Sequence, residues 1–106
     1  MRVCLAAAGV AAVMVLGACS GGSHGAVLTI KNFAFSPQPL TIKAGQQLTV
    51  RNVDPTLHGF ATDDGRVVLG AVNPSGGTRA AVFPKAGRYT YHCTLHASMK
   101  GVLIVR

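Results

Sequence analysis

Charge is sparse in this sequence, and acidic charge sparser still. Charged residues make up 12% of the chain, and three Asp and Glu stand against ten Lys and Arg, for a formal charge of +7. A basic balance suits nucleic acid, but the chain has no Lys/Arg run. Its cations are scattered singly and no aromatic side chains are interleaved with a basic stretch, so no nucleic-acid partner is expected. Gly (13) and Pro (5) are too few for a collagen-like or low-complexity chain. At 106 residues there is too little chain for a multidomain enzyme. No stretch shows a sustained helical period. What is plentiful is hydrophobic, 49% of residues, enough for one small core.

The amino terminus reads as a segment that is processed rather than folded. Met1-Arg2 precedes an uncharged stretch from Val3 to Leu16, which closes with Leu16-Gly17-Ala18-Cys19. A basic start, a short apolar span and a small-residue end form the layout of a signal peptide. The last four residues resemble the lipobox of bacterial lipoproteins, which is cut just before a Cys that is then lipidated. Residues 1–18 are thus expected to be a lipoprotein signal peptide, with Cys19 the lipidation site. The alternative is an uncleaved anchor, because Val3 to Cys19 is an apolar run at the lower edge of membrane-spanning length. Either way the domain lies outside the cytoplasmic membrane. Residues 19–25 form a Gly/Ser-rich tether, in which His24 reads as a solvated side chain.

Cysteine and methionine are scarce too, and their places are informative. Cys4 lies in the signal and Cys19 at the lipid site, so the domain over 26–106 keeps only Cys93 and no disulfide within it is possible. Met1 and Met14 leave with the signal, so it keeps only Met99. A lone thiol in an oxidising compartment is a liability unless it is buried or bound.

From Ala26 onward, short runs rich in Val, Ile, Thr, Phe and Tyr are separated by Pro and Gly, which predicts an all-β domain. Strands are expected at about 26–33, 38–43, 46–52, 58–62, 66–69, 78–84, 87–93 and 101–106. Eight short strands in so small a domain suggest a Greek-key β-sandwich. In Tyr89-Thr90-Tyr91-His92-Cys93 the alternation places Tyr89, Tyr91 and Cys93 on one face and His92 on the other.

The segment that carries chemistry follows. Cys93-Thr94-Leu95-His96-Ala97-Ser98-Met99 gives Cys-x2-His-x2-Met between two strands. A thiolate and two imidazoles in a plane, with a long, weak thioether contact along the axis, make up the ligand set of blue-copper electron-transfer sites. A second His is then required, and His58, following Asn52 through Leu57 at the end of an earlier strand and 35 residues before Cys93, supplies it.

The chain resembles the cupredoxin family, its small plastocyanin- and amicyanin-like members in particular. Phe33-Ala34-Phe35-Ser36-Pro37, Leu40-Thr41-Ile42-Lys43-Ala44-Gly45, Asn52 through His58, Gly87-Arg88-Tyr89-Thr90-Tyr91-His92-Cys93 and the short ligand loop all fall in the family's order. The resemblance implies that His58, Cys93 and His96 are equatorial ligands and Met99 the axial ligand of one copper ion. It implies an electron carrier, not an enzyme, whose electrons leave through His96. Two positions depart from the family. Gly59 stands where relatives often have an Asn that ties the ligand loops together, and Val50 stands where many have an aromatic residue.

Other readings compete. His92 beside Cys93 is similar to a segment of multicopper oxidases, but position 94 is Thr and the chain has no His-x-His pair. A cysteine hydrolase with Cys93 as nucleophile leaves Met99 without a role, and zinc makes poor use of a thioether. The stronger rival is a copper-binding module for trafficking, buffering or tolerance. Removing residues 1–18 takes Arg2 with it and leaves +6, a charge that favours redox partners with acidic docking surfaces. A monomer held to the membrane through its lipid is expected.

Overall fold

The computed structural model describes residues 25–106; the expected signal peptide, Cys19 and most of the tether lie outside the described residues. Nine strands run β1 (Ala26–Lys31), β2 (Ala34–Ser36), β3 (Leu40–Ile42), β4 (Gln47–Asn52), β5 (His58–Thr62), β6 (Val68–Val72), β7 (Gly77–Val82), β8 (Gly87–His92) and β9 (Lys100–Val105). They form two sheets, β2-β1-β4-β7 and β3-β9-β8-β5-β6, with parallel pairs β1·β4 and β3·β9 and antiparallel pairs elsewhere. The chain changes sheet five times, so neighbours in sequence are often not neighbours in a sheet, as the sandwich reading expects.

The period-2 pattern decides which faces meet. Leu48 and Val50 are buried while Thr49 is half-buried and Arg51 exposed, and in β8 Tyr89 and Tyr91 are buried while Arg88 and Thr90 are exposed. Leu28, Ile30, Leu48 and Val50 from the first sheet meet Phe60, Val72, Tyr91 and Leu103 from the second, all fully buried. Each such burial contributes about 1.5–3 kcal/mol. The aromatic bulk absent at Val50 comes from elsewhere: Phe35 lies 4.8 Å from Tyr91 and Tyr91 5.0 Å from Phe60, measured between ring centroids. Gly101 makes room for this cluster, because a Cβ there would collide with the Tyr91 ring and hydroxyl.

Nine strands replace the eight expected, and two local features account for the differences. The expected strand over 26–33 ends at Lys31, since Asn32 and Phe33 take φ values of 53° and 58°. Two successive left-handed residues are the mark of a type I′ hairpin turn, and the turn folds β2 back on β1 as a strand of its own. The expected strand at 66–69 starts at Val68, because Asp64 captures the residues before it. Its Oδ1 accepts the Thr62 hydroxyl at 2.7 Å and the Arg66 N–H at 2.9 Å, holding a turn where extended chain was expected.

Strand directions give the sandwich two distinct ends. β1, β4 and β8 finish, and β5, β7 and β9 begin, towards the end that carries His58, Cys93 and Met99.

Candidate metal centre

Cys93 follows β8 directly, on the inward face that Tyr89 and Tyr91 share, and is 1% exposed. The loop after it closes on itself: the Met99 N–H donates to the His96 carbonyl at 2.9 Å, and the Cys93 N–H to the Met99 carbonyl at 2.9 Å. Two main-chain bonds thus hold the whole Cys-x2-His-x2-Met segment in a fixed shape, and Met99 is returned, buried, to the core beside Cys93.

His58 opens β5 and is fully buried. The chain before it is pinned by Asn52, whose side-chain amide donates to the carbonyls of Thr56 at 2.8 Å and Val72 at 3.0 Å. The Asn52 Oδ1 accepts the Asp54 N–H at 2.9 Å. Asp54, itself buried, then accepts from His58 Nε2 at 2.8 Å through Oδ2. An ionised carboxylate only accepts, so the ring proton sits on Nε2 and the Nδ1 lone pair is left for a metal. The same carboxylate takes the N–H groups of Asn32 at 2.6 Å and Phe33 at 2.9 Å. The Phe33 N–H above all, with those of Asn32 and His58, holds the Asp54 carboxyl below its ordinary value against a burial that pushes it up.

The structure brings three of the four expected ligand side chains to one point. His58 Nδ1 and His96 Nδ1 are 3.3 Å apart, and Cys93 Sγ lies 3.9 Å from the first and 3.6 Å from the second. Donors spread trigonally around one metal, with bonds of about 2.0 Å to nitrogen and about 2.3 Å to sulfur, stand about 3.5–3.7 Å apart. The observed spacings are each within about 0.2 Å of this, so a metal fits with only small shifts of the side chains. A thiolate, two imidazoles and a neighbouring thioether are soft and borderline donors, and the four residues are positioned as a type 1 copper site. Among the described residues this is the one cluster of three or more His, Cys, Asp or Glu side chains able to hold a metal.

The Gly59 N–H donates to Cys93 Sγ at 3.3 Å, bonding the thiolate through the backbone. The departure to glycine has a steric cause as well. A Cβ on Gly59 would collide with the Thr94 hydroxyl, so Thr94 fills the space that a larger residue at 59 would need. His92 turns away from the site, as its strand position predicts, and bonds Asp63 at 2.6 Å.

His96 is the one partly exposed member of the four; the other three are 4% exposed or less. Leu95 is exposed beside it, as an apolar rim requires, and Phe33 and Leu57 are exposed at the same end. Phe33 is the surprise. Its ring stands edge-on to both imidazoles, 4.9 Å from His58 and 5.1 Å from His96 between centroids. Both Phe33 and Asp54 lie in segments that carry the family resemblance, Phe33-Ala34-Phe35-Ser36-Pro37 and Asn52 through His58, but the sequence alone assigns neither a role at the site.

Comparison with known proteins agrees with this centre. A model of the cupredoxin-like domain matches residues 4–105. A plastocyanin from Scenedesmus fuscus is 34% identical over 84 residues, covering 68% of this chain and 86% of its own. The crystal structure of amicyanin from Paracoccus versutus superposes with a TM-score of 0.70 at 29% identity, covering 79% of this chain and 83% of that one. A reduced, Cu(I) form of an amicyanin variant gives a TM-score of 0.68 at 25% identity, covering 79% and 84%. With the domain model matching nearly the whole length, the chain belongs to the cupredoxin family.

Proposed function

We propose that this protein is an extracytoplasmic, membrane-anchored blue-copper protein that carries single electrons between redox partners. In this reading His58, Cys93 and His96 would hold one copper ion with Met99 as a weaker fourth donor, and the protein is a carrier rather than an enzyme. The observation that carries it is the convergence of His58 Nδ1, Cys93 Sγ and His96 Nδ1 within 4.8 Å. Family membership, with a plastocyanin and a Cu(I) amicyanin among the relatives, supports it.

Bound copper supplies the one-electron Cu(I)/Cu(II) couple. The chain supplies rigidity, so that both oxidation states share one geometry and little has to move. Asp54 holds the His58 ring, the Gly59 N–H holds the Cys93 sulfur, and main-chain bonds fix the loop to Met99. His96 is the exit, because its edge reaches the surface among Phe33, Leu57 and Leu95. Those apolar side chains exclude water when a partner docks. A +6 mature chain speeds encounter with acidic partners at low salt. Copper carriage is the rival function, and it needs donors an acceptor can reach. Three of the four here are buried, which favours electron transfer.

Two variants test the reading. The Cu(II) protein should be intensely blue or green from thiolate-to-copper charge transfer, and Cys93→Ser should abolish that band; a retained band removes Cys93 from the site. Met99→Gln replaces a thioether with a harder oxygen donor, so the reduction potential should fall while the band largely persists. Stopped-flow electron exchange, run beside a copper-transfer assay, then separates carrier from chaperone. Fast exchange with copper retained through many cycles is expected. Sluggish exchange with rapid loss of copper to an acceptor overturns the proposal in favour of trafficking.

A further inference from the structure

The end of the sandwich opposite the metal centre is basic, and it is the end at which the expected tether enters. Ala26 begins β1 there, paired with Leu48. The register and loop bonds gather the rest of this end around it. Gln47 pairs with Val82 and Gly87 with Val105, the Ala44 N–H donates to the Arg106 carbonyl at 2.8 Å, and the Gly45 N–H to the Phe83 carbonyl at 2.9 Å. Five of the nine Lys and Arg outside residues 1–18 project from this end, all exposed: Lys43, Arg66, Lys85, Arg88 and Arg106. Two exposed acidic side chains follow β5 beside Arg66: Asp64, 3.7 Å from the Arg66 side chain, and Asp63, which is taken up by His92.

Exposed apolar side chains divide between the two ends. Phe33, Leu57 and Leu95 lie around the metal centre, whereas Val27 and Val82 lie towards the tether end. There Arg66 and Lys85 line a groove of about 260 Å³ together with Val67, Val82, Phe83, Pro84 and Tyr89. Cations around an apolar groove match the interface of a bilayer, where phosphates lie just outside the acyl chains.

We propose that this basic end docks on anionic phospholipid headgroups and so points the metal centre away from the membrane, towards its partners. The inference rests on the lipid-anchor reading above. Six peptide steps separate Cys19 from Gly25, a reach of about 20 Å when fully extended. A lipid on Cys19 therefore holds the five cations near the headgroups, where each Lys or Arg strengthens binding roughly fivefold and salt screens over about 8 Å. Six-residue strands place the metal centre about 20 Å further out. Five of the nine cations thus face the lipid, while the end that meets partners shows apolar side chains around His96 and keeps the other four, Lys31, Arg51, Arg79 and Lys100, for acidic partners.

Lysine reactivity reads the orientation directly. The copper-loaded, lipidated protein is reconstituted in vesicles of phosphatidylcholine, alone or mixed with phosphatidylglycerol, and acetylation of each lysine is followed by mass spectrometry. Phosphatidylglycerol should slow Lys43 and Lys85 at least about fivefold, leave Lys31 and Lys100 at the metal end unchanged, and lose its effect at high salt. Equal rates at Lys43 and Lys85 in both vesicles, or slowing at Lys31 and Lys100 instead, overturns the proposal. Protection by polyglutamate but not by vesicles overturns it too, in favour of an acidic protein partner. A purified chain without lipid by intact mass defeats the anchor reading alone. That chain, mixed with excess anionic vesicles, still reports through the same lysines, where protection supports docking and none overturns it.

Discussion

Asp54 and His58 are joined by a 2.8 Å hydrogen bond that settles where the imidazole proton sits. The same carboxylate holds the Asn32-Phe33 turn, where a Phe at φ 58° carries about 1–2 kcal/mol of backbone strain. One buried group therefore orients a ligand and stabilises the turn whose ring covers two ligands.

Asp54→Asn should lower copper affinity about 10–100-fold, since the neutral amide holds the His58 tautomer poorly and leaves one turn N–H without its acceptor. Competition against a chelator of known affinity measures this. Unchanged affinity would show that the tautomer is fixed by something else.

Gly59→Ala should destabilise the protein by about 1–3 kcal/mol and shift the charge-transfer band, because the new methyl meets Thr94. Adding Thr94→Ala should recover part of both losses by removing the hydroxyl. A single variant with wild-type spectrum and melting point would mean that the loop yields freely.

Tyr91 carries the buried side-chain hydroxyl that finds no partner among the described residues. Tyr91→Phe should then be neutral or stabilising by about 1 kcal/mol, a rise of up to about 8 °C in the unfolding midpoint. Gly101→Ala, by contrast, drives a methyl into the same ring and should be severely destabilising. Thermal unfolding of the two variants side by side checks both signs.

Asp63 and Asp64 are both held below the ordinary 3.8, Asp63 by the Thr90 hydroxyl first and then the His92 ring, Asp64 by the Arg66 N–H and then the Thr62 hydroxyl. With folded values depressed, the unfolded chain binds more protons in this window. Their contribution is present above 3.8 and is lost as pH falls below it. The melting point of the metal-free protein should drop through that acidic range, and Asp63→Asn with Asp64→Asn should flatten the slope. A slope unchanged in the double variant would place the acid sensitivity elsewhere.

Cys19→Ala should leave the protein soluble or unprocessed when cells are fractionated, since stable attachment requires the acyl chains. Membrane extraction of a correctly processed mature chain, unchanged by the substitution, would defeat the lipid site.

The four donors could be found in the sequence because each is a rare residue type and three share one short segment. Strand alternation placed Cys93 inward and His92 outward for the same local reason. What escaped detection depends on contacts across the fold. Asp54 is an unremarkable loop Asp until two backbone N–H groups from 21 and 22 residues earlier arrive at its oxygens. Phe33 is a poor turn former by propensity, and only Asp54 makes its left-handed backbone tenable. The fit of Gly59 against Thr94 depends on two loops meeting, so glycine reads from sequence as a lost side chain rather than as room for another.

The place of β9 bears on when the site comes into being. Although last in sequence, it lies between β3 and β8, and its partners are strands about sixty and about a dozen residues earlier. Until Lys100–Val105 is free to pair, the second sheet has a gap beside the strand that leads to Cys93, and Met99 has no anchor on its far side. Closing such distant pairings places the domain among slow folders, on the scale of milliseconds to seconds. A chain still emerging from synthesis or translocation thus exposes its thiol without the complete cage. Copper loading should therefore wait on the pairing of β9 with β3 and β8, and a chain in which β9 is unpaired offers scavenging metal ions no finished pocket.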